Sequence, residues 1–276
     1  MSAKLHKVLA DAGLGSRREM ERWIEDGRIQ VNGQRAVLGM RVEAADAILV
    51  DGRPLKPGAA DSGRRRVLMY HKPEGEISTR HDPEGRPTIF EHLPALQGER
   101  WVAIGRLDIN TTGLLLFTND GELANRLMHP SAQIEREYAC RVLGAVDDAM
   151  LERLQEGVLL EDGVARFANV RAQGGRGANR WYSVTLREGR NREVRRLWES
   201  QDVKVSRLKR VRFGPVAIPS ILRAGDWLEL DKPGVDELCR LVDLRPRREP
   251  PASAQQREKQ RRQLDKLRQR GPARRR

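Results

Sequence analysis

Apolar residues recur with helical spacing at the start of the chain: Leu5, Val8, Leu9 and Ala12 fall at i, i+3, i+4 and i+7, one face of a short helix. Gly13 and Gly15 stop it. Ser16 followed by Glu19 has the form of a capping box, so a second helix starts there, with Met20, Trp23 and Ile24 as its apolar stripe. Asp26-Gly27 ends that helix, and Ile29 and Val31 alternate into Asn32-Gly33, a two-residue hairpin signal. A small sheet continues through residues 48–50. Farther on, residues 67–70, 101–104, 114–117 and 181–186 read as strands, and residues 121–128 and 192–200 as helices.

This order predicts an α+β chain in four parts. A small N-terminal helix-helix-hairpin domain spans residues 1–60, and a linker follows at 61–66, signalled by Pro54, Pro57, Gly58, Ser62 and Gly63. A larger domain with a mixed, mostly antiparallel sheet flanked by helices spans 67–244, and a tail runs from 245 to 276. The tail is Pro-, Gln- and Arg-rich and lacks a core-forming pattern. It is expected to be disordered, with some helix possible between Gln255 and Arg270.

Charge changes this picture only locally. The 276 residues carry a formal net charge of +13, but residues 245–276 hold thirteen Lys/Arg against three Asp/Glu, so +10 of it belongs to the tail. A polyanionic partner is implied, yet for the body it must be argued from local pattern. Cys140 and Cys239 have no CxxC spacing and no nearby His cluster, which points to a reducing compartment and no structural metal. No apolar leader opens the chain, and its apolar runs fall far short of the roughly 20 residues a bilayer needs. A cytoplasmic protein is expected. No Walker-type or GxGxxG loop is present, so nucleotide-dependent chemistry has no support.

Basic side chains sit on positions that the first domain does not need for packing: Lys7, Arg17, Arg18, Arg28 and Arg35. Arg17 and Arg18 in the first turn of a helix add cations to free backbone N–H groups, a combination suited to phosphate. Interleaved Glu21, Glu25 and Asp26 would equally suit a plain solvated face.

The stretch most loaded with chemistry is GRLDINTTGLLLFTNDG, residues 105–121. It places one acid, Asp108, on a loop of turn-forming residues between two apolar strands. Arg106 lies two residues before it, on the same side of an extended loop. REGRNREVRRLWES (187–200) puts Arg192, Arg195 and Arg196 at helical spacing on one side. Read alone, Asp108 could simply cap its turn.

Two resemblances decide between these readings. LHKVLADAGLGSRREMERWIEDGRIQVNGQ (residues 5–34) closely resembles the S4 RNA-binding domain, which implies that residues 4 to about 50 bind folded RNA largely through phosphates. GRLDINTTGLLLFTNDG, HKPEG (71–75), REYACRV (136–142) and REGRNREVRRLWES together resemble the four motifs of RsuA/RluB-type pseudouridine synthases, in order. STRHDPEGRPTIFEHLP (78–94) resembles the RluB branch, which modifies large-subunit ribosomal RNA.

The resemblance implies that Asp108 is the nucleophile in isomerising uridine to pseudouridine, without metal or cofactor. It implies that Tyr138 stacks on the target base and that Arg195 is the cation keeping Asp108 ionised despite burial. It further implies that Arg106, Lys72, Arg192 and Leu208 contact the extruded nucleotide. The partner would be a structured stem-loop of ribosomal RNA, most specifically large-subunit 23S rRNA, bound by a monomer. The competing reading is a non-enzymatic S4-type protein of ribosome assembly; another is a glycosylase that uses Asp108 to activate water.

Overall fold

The computed structural model describes residues 2–55, 64–96, 99–177, 179–246 and 254–270. The N-terminal part comprises β1 (Ala3–Lys4), α1 (Leu5–Asp11), α2 (Arg17–Glu25), β2 (Ile29–Val31), β3 (Gln34–Arg35), β4 (Arg41–Val42), β5 (Ile48–Val50) and β6 (Arg53–Pro54). The capping box forms as the spacing predicts: Ser16 Oγ accepts from Glu19 N at 3.1 Å, and Glu19 accepts from Ser16 N at 3.1 Å. Met20 and Ile24 turn inward onto Leu5, Leu9, Ile29 and Val31, while β2, β3, β5 and β6 close the other side of this small core. Residues 56–63, which include the first half of the expected linker at 61–66, lie outside the described residues.

The second part begins with β7 (Val67–Lys72), β8 (Val102–Ile104), β9 (Thr112–Thr118) and α3 (Gly121–Met128). It continues through β10 (Arg136–Leu143), α4 (Asp148–Glu156), β11 (Val158–Leu160), β12 (Gly163–Ala165), β13 (Asn169–Arg176), β14 (Asn179–Leu186), α5 (Glu193–Glu199) and β15 (Lys204–Phe213). The chain then adds β16 (Val216–Ala217), β17 (Trp227–Glu229), α6 (Lys232–Leu241) and α7 (Ala254–Gln269).

A nine-stranded sheet runs β13-β14-β10-β15-β9-β7-β17, with β16 on β15 and β8 on β9. Its strand pairings are antiparallel except one, β9 with β15, where Lys209 faces Thr112 and Arg210 faces Gly113. Strands β7 and β9 are apolar at successive positions because both their faces are covered. Val67, Met69, Leu114 and Leu116 pack against α3 and α6; Leu68, Tyr70, Leu115 and Phe117 pack on the opposite face against Ile89 and Trp101. A further core joins β10 and β14 to α4 and α5 through Tyr182, Val184, Leu197 and Trp198. Each such fully buried large side chain contributes on the order of 1.5–3 kcal/mol.

Within the C-terminal tail, expected to be disordered apart from some helix between Gln255 and Arg270, residues 254–269 form α7. A helix this polar would not hold by itself. Leu267, only 4% exposed, anchors it in the core shared with α6 and β17. Residues 247–253 and 271–276 lie outside the described residues. Among the described residues no helix is long and apolar enough to cross a membrane, and no group of three or more His, Cys, Asp or Glu is placed to hold a metal ion.

Candidate active site

The loop between β8 and β9 is fixed carbonyl by carbonyl. Ser78 Oγ donates to Leu107 O at 2.7 Å, and Thr111 N closes a turn on Asp108 O at 3.0 Å. Ile109 O accepts from Gly75 N at 2.9 Å and from Lys72 Nζ at 3.4 Å. Asn110 O accepts from Arg195 Nη2 at 3.1 Å, and Thr111 O from Lys72 Nζ at 3.0 Å. With the carbonyls of residues 107–111 all occupied, this part of the loop has little freedom left, which fixes the backbone that carries the half-buried Asp108.

Gly113 seats the strand that follows. Its φ is +107°, and a Cβ there would lie 2.2 Å from the Arg210 carbonyl oxygen. Only glycine permits the parallel approach of β15 that brings Arg210 and Leu208 beside the loop.

Asp108 opens into a cleft of about 930 Å³ also lined by Arg106, Tyr138, Arg192 and Leu208, a size suited to a small ligand. Tyr138 lies on β10 next to a bulge and stands directly across from Arg210 on β15. Pattern alone does not single out three further residues of this wall: Arg136, Glu193 and Arg210. Arg136 lies inside the motif that carries Tyr138, and Arg210 two positions past Leu208, so proximity in sequence was the available signal.

The wall is strongly cationic. Arg136 donates to the carbonyls of Ile134, Arg187 and Glu188, and burial lowers its pKa. Arg210, 2% exposed, donates to Leu114 O at 2.7 Å. Buried polar atoms without a partner gather here: Thr111 Oγ1, Glu193 Oε1, Arg195 Nε and Arg210 Nη2. Such unpartnered atoms cost free energy in a dry interior. Burial also pushes the Glu193 carboxyl up to about 7, with Glu188 adding to the rise.

The expected cation, Arg195, is placed differently from a simple ion pair. It makes no ion-pair contact with Asp108; its guanidinium bridges Val205 O at 2.7 Å and Asn110 O at 3.1 Å. The Asp108 charge still favours its ionised form against burial and Arg192. Arg195 therefore fixes the loop and supplies positive potential at once. The three arginines expected on one helical side part company. Arg192 precedes α5 in the left-handed region with φ +49° and lines the cleft, whereas Arg196 turns to Asp162 at 2.8 Å.

Lys72 lies away from the cleft wall and is fully buried, contrary to its expected contact with a nucleotide. Its ammonium donates to Pro73 O at 2.9 Å as well as to the two loop carbonyls. Burial lowers its pKa to about 8, opposed by Glu76 and Asp108.

In the N-terminal domain Arg17 and Arg18 are exposed at the start of α2, and Lys7 is half-buried on α1. Arg17 also lines a second cleft, of about 230 Å³, against Arg100 and Asn125. Arg28 is already engaged: it forms a two-point pair with Asp51, at 2.9 and 2.5 Å, and lies 3.8 Å above the Trp23 ring. Arg35 donates to the Glu25 carbonyl at the end of α2.

Comparison with known proteins agrees with this layout. Residues 66–200 match the RNA pseudouridylate synthase family, and residues 4–48 match the S4 domain. A Pseudomonas aeruginosa protein named ribosomal large subunit pseudouridine synthase B is 58% identical over 264 residues, covering 95% of this chain and 68% of that one. The Escherichia coli K12 protein of the same name is 58% identical over 248 residues, covering 89% and 85%. A solved structure described as a pseudouridylate synthase shares the fold at a TM-score of 0.59 and 24% identity, covering 85% of this chain and 99% of that one. The chain belongs to the RNA pseudouridylate synthase family and carries an S4 domain at its N-terminus.

Proposed function

We propose that this protein converts a uridine of large-subunit ribosomal RNA to pseudouridine, with Asp108 as the nucleophile. The observation that supports this most directly is the fixed loop of residues 107–111, which presents one carboxylate to a cationic cleft of nucleotide size. The C1′–N1 bond breaks, the uracil turns while held, and C5 bonds to C1′; the proton leaving C5 is balanced by one gained at N1. Nothing is consumed, and the RNA keeps its mass. A carboxylate can drive this by adding to C6 of the ring, by attacking C1′, or by assisting elimination to a glycal.

The nucleophile is the Asp108 carboxylate, and the guanidinium of Arg195 behind its loop places positive charge beside it. The Tyr138 ring stacks on the base, Leu208 packs against it, and Arg106 and Arg192 hold the extruded nucleotide and its phosphates. Extrusion costs a few kcal/mol, least in a loop or bulge, so the substrate is a structured stem-loop. The S4 unit holds the flanking stem through Lys7, Arg17 and Arg18. Residues 1–60 and 67–244 act as an RNA-gripping domain and a catalytic domain of a cytoplasmic monomer.

Asp108→Asn tests the reading. Large-subunit rRNA incubated with that variant should stay bound yet contain no new pseudouridine. Pseudouridine formed at the wild-type rate would end the assignment, and release of free uracil by the wild type would replace it with a glycosylase.

A further inference from the structure

Helix α7 is attached along the edge of the main sheet. Leu267 is buried in the core, and Gln263 Nε2 donates to Trp227 O on β17 at 2.6 Å. Seven residues on, Arg270 reaches the Asp226 carboxylate at 3.3 Å, and its carbonyl accepts from Arg223. The helix thus runs along β17 toward the Arg223–Asp226 turn.

That turn lies at the catalytic end of the sheet. Gly225 N donates to His71 O at 2.8 Å, and His71 N to Asp226 O at 3.0 Å. The next residue, Lys72, grips the Asp108 loop. Strands β17, β7 and β9 are neighbours, so the end of α7 lies at the same end of the sheet as that loop, at least two strand spacings, or about 10 Å, to one side.

The exposed face of α7 is basic. Arg261, Arg262, Lys266, Arg268 and Arg270 are exposed. Arg262 is paired with Glu258 at 2.5 Å and Arg270 with Asp226, whereas no described carboxylate pairs with Arg261, Lys266 or Arg268. These three charges are displayed outward by a helix that needs its apolar anchor to exist at all.

We propose that α7 is a docked RNA-binding arm, presenting Arg261, Lys266 and Arg268 to the phosphate backbone of the RNA that flanks the extruded uridine. This rests on the RNA-modifying reading above and adds a surface to it. The arm works from a fixed position, which separates it from a tethered polycation that would act equally well undocked.

Two full-length variants test it by filter retention of a large-subunit rRNA transcript across a salt series. Replacing the three cations together (R261Q, K266Q and R268Q) should raise Kd roughly ten-fold near 0.15 M salt and flatten the dependence of log Kd on log salt by about two. Leu267→Asn removes no charge, yet by undocking the helix it should raise Kd about five-fold. Wild-type affinity in Leu267→Asn, or an unchanged salt slope in the triple variant, overturns the proposal. The triple variant alters only exposed side chains and decides whether these cations meet the RNA; should Leu267→Asn fold poorly, Gln263→Ala, which removes the bond to Trp227 O, tests the docking in its place, and wild-type affinity there overturns it. In both, kcat at saturating RNA should match the wild type. Should the wild type form no pseudouridine while the Kd pattern appears, the docked arm is supported and the enzymatic reading falls alone.

Discussion

The Lys72 ammonium donates to the Thr111 carbonyl at 3.0 Å from inside the protein, three residues past Asp108 on the same loop. A lysine thereby braces the backbone that carries the proposed nucleophile, and its three N–H groups are shared among Pro73, Ile109 and Thr111. Lys72→Met should lower kcat about 100-fold, since misplacing a reacting group by an ångström costs that much. Single-turnover assays at saturating RNA would show it; wild-type kcat would remove Lys72 from the positioning role.

The same lysine sets a pH limit. Burial lowers its pKa to about 8, so the folded protein loses this proton as pH rises through 8 while the unfolded chain keeps it to about 10.5. Between those values the unfolded state binds more protons, so this group makes stability rise with pH. An activity loss above pH 8 would therefore reflect the weakened loop rather than unfolding. Lys72→Arg, which does not titrate there, should abolish that alkaline limb even if its kcat is lower throughout.

Arg195 bridges two carbonyls on different elements, Val205 O and Asn110 O. A lysine cannot hold both in the plane of a guanidinium. Arg195→Lys should reduce kcat by roughly 100-fold and leave KM within about three-fold, because loop geometry is lost and RNA contacts are not. A rise confined to KM would instead mark Arg195 as a substrate contact.

Gly113→Ala should destabilise the fold by about 3 kcal/mol or more, from the left-handed backbone and the clash with Arg210 O. Urea denaturation reads this directly. A loss below about 1 kcal/mol would mean that β9 and β15 separate easily.

Glu193 is the stability counterpart. Burial raises its carboxyl to about 7, above the ordinary value, so the folded state keeps a proton that the unfolded chain has lost. Stability from this group therefore falls as pH rises from about 4.5 to 7. Glu193→Gln retains an acceptor for Arg190 N, which the carboxylate now receives at 3.0 Å. It should match the wild-type Tm at pH 4 and exceed it by a few degrees at pH 8. Equal Tm at both pH values would sink the assignment of a strained buried acid.

What could be read from the sequence was what local chemistry writes. Ser16 and Glu19 announce a helix start that needs no partner, and the buried runs of β7 and β9 announce central strands. The position of Asp108 on the loop leading into β9 followed. The guanidinium geometry did not, because helical spacing assumes a helix that includes Arg192, and α5 begins one residue later. Lys72 and Arg28 show the same limit: a cation in a sequence does not say whether water, a phosphate or a buried carbonyl receives it. The docking of α7 depends on one leucine, Leu267, finding a core assembled from distant segments.

The single parallel junction between β9 and β15 has a consequence for synthesis on the ribosome. Asp108 and its loop emerge early, but Arg195, Leu208 and Arg210 leave the exit tunnel close to a hundred residues later. A nascent chain therefore carries the Asp108 loop without its β15 neighbour for about a hundred of its 276 residues of elongation, and closing so distant a pairing is slow. The wall beside the Asp108 loop is completed in one late event, when β15 slots beside Gly113, so the cleft cannot form before nearly the whole sheet has been made.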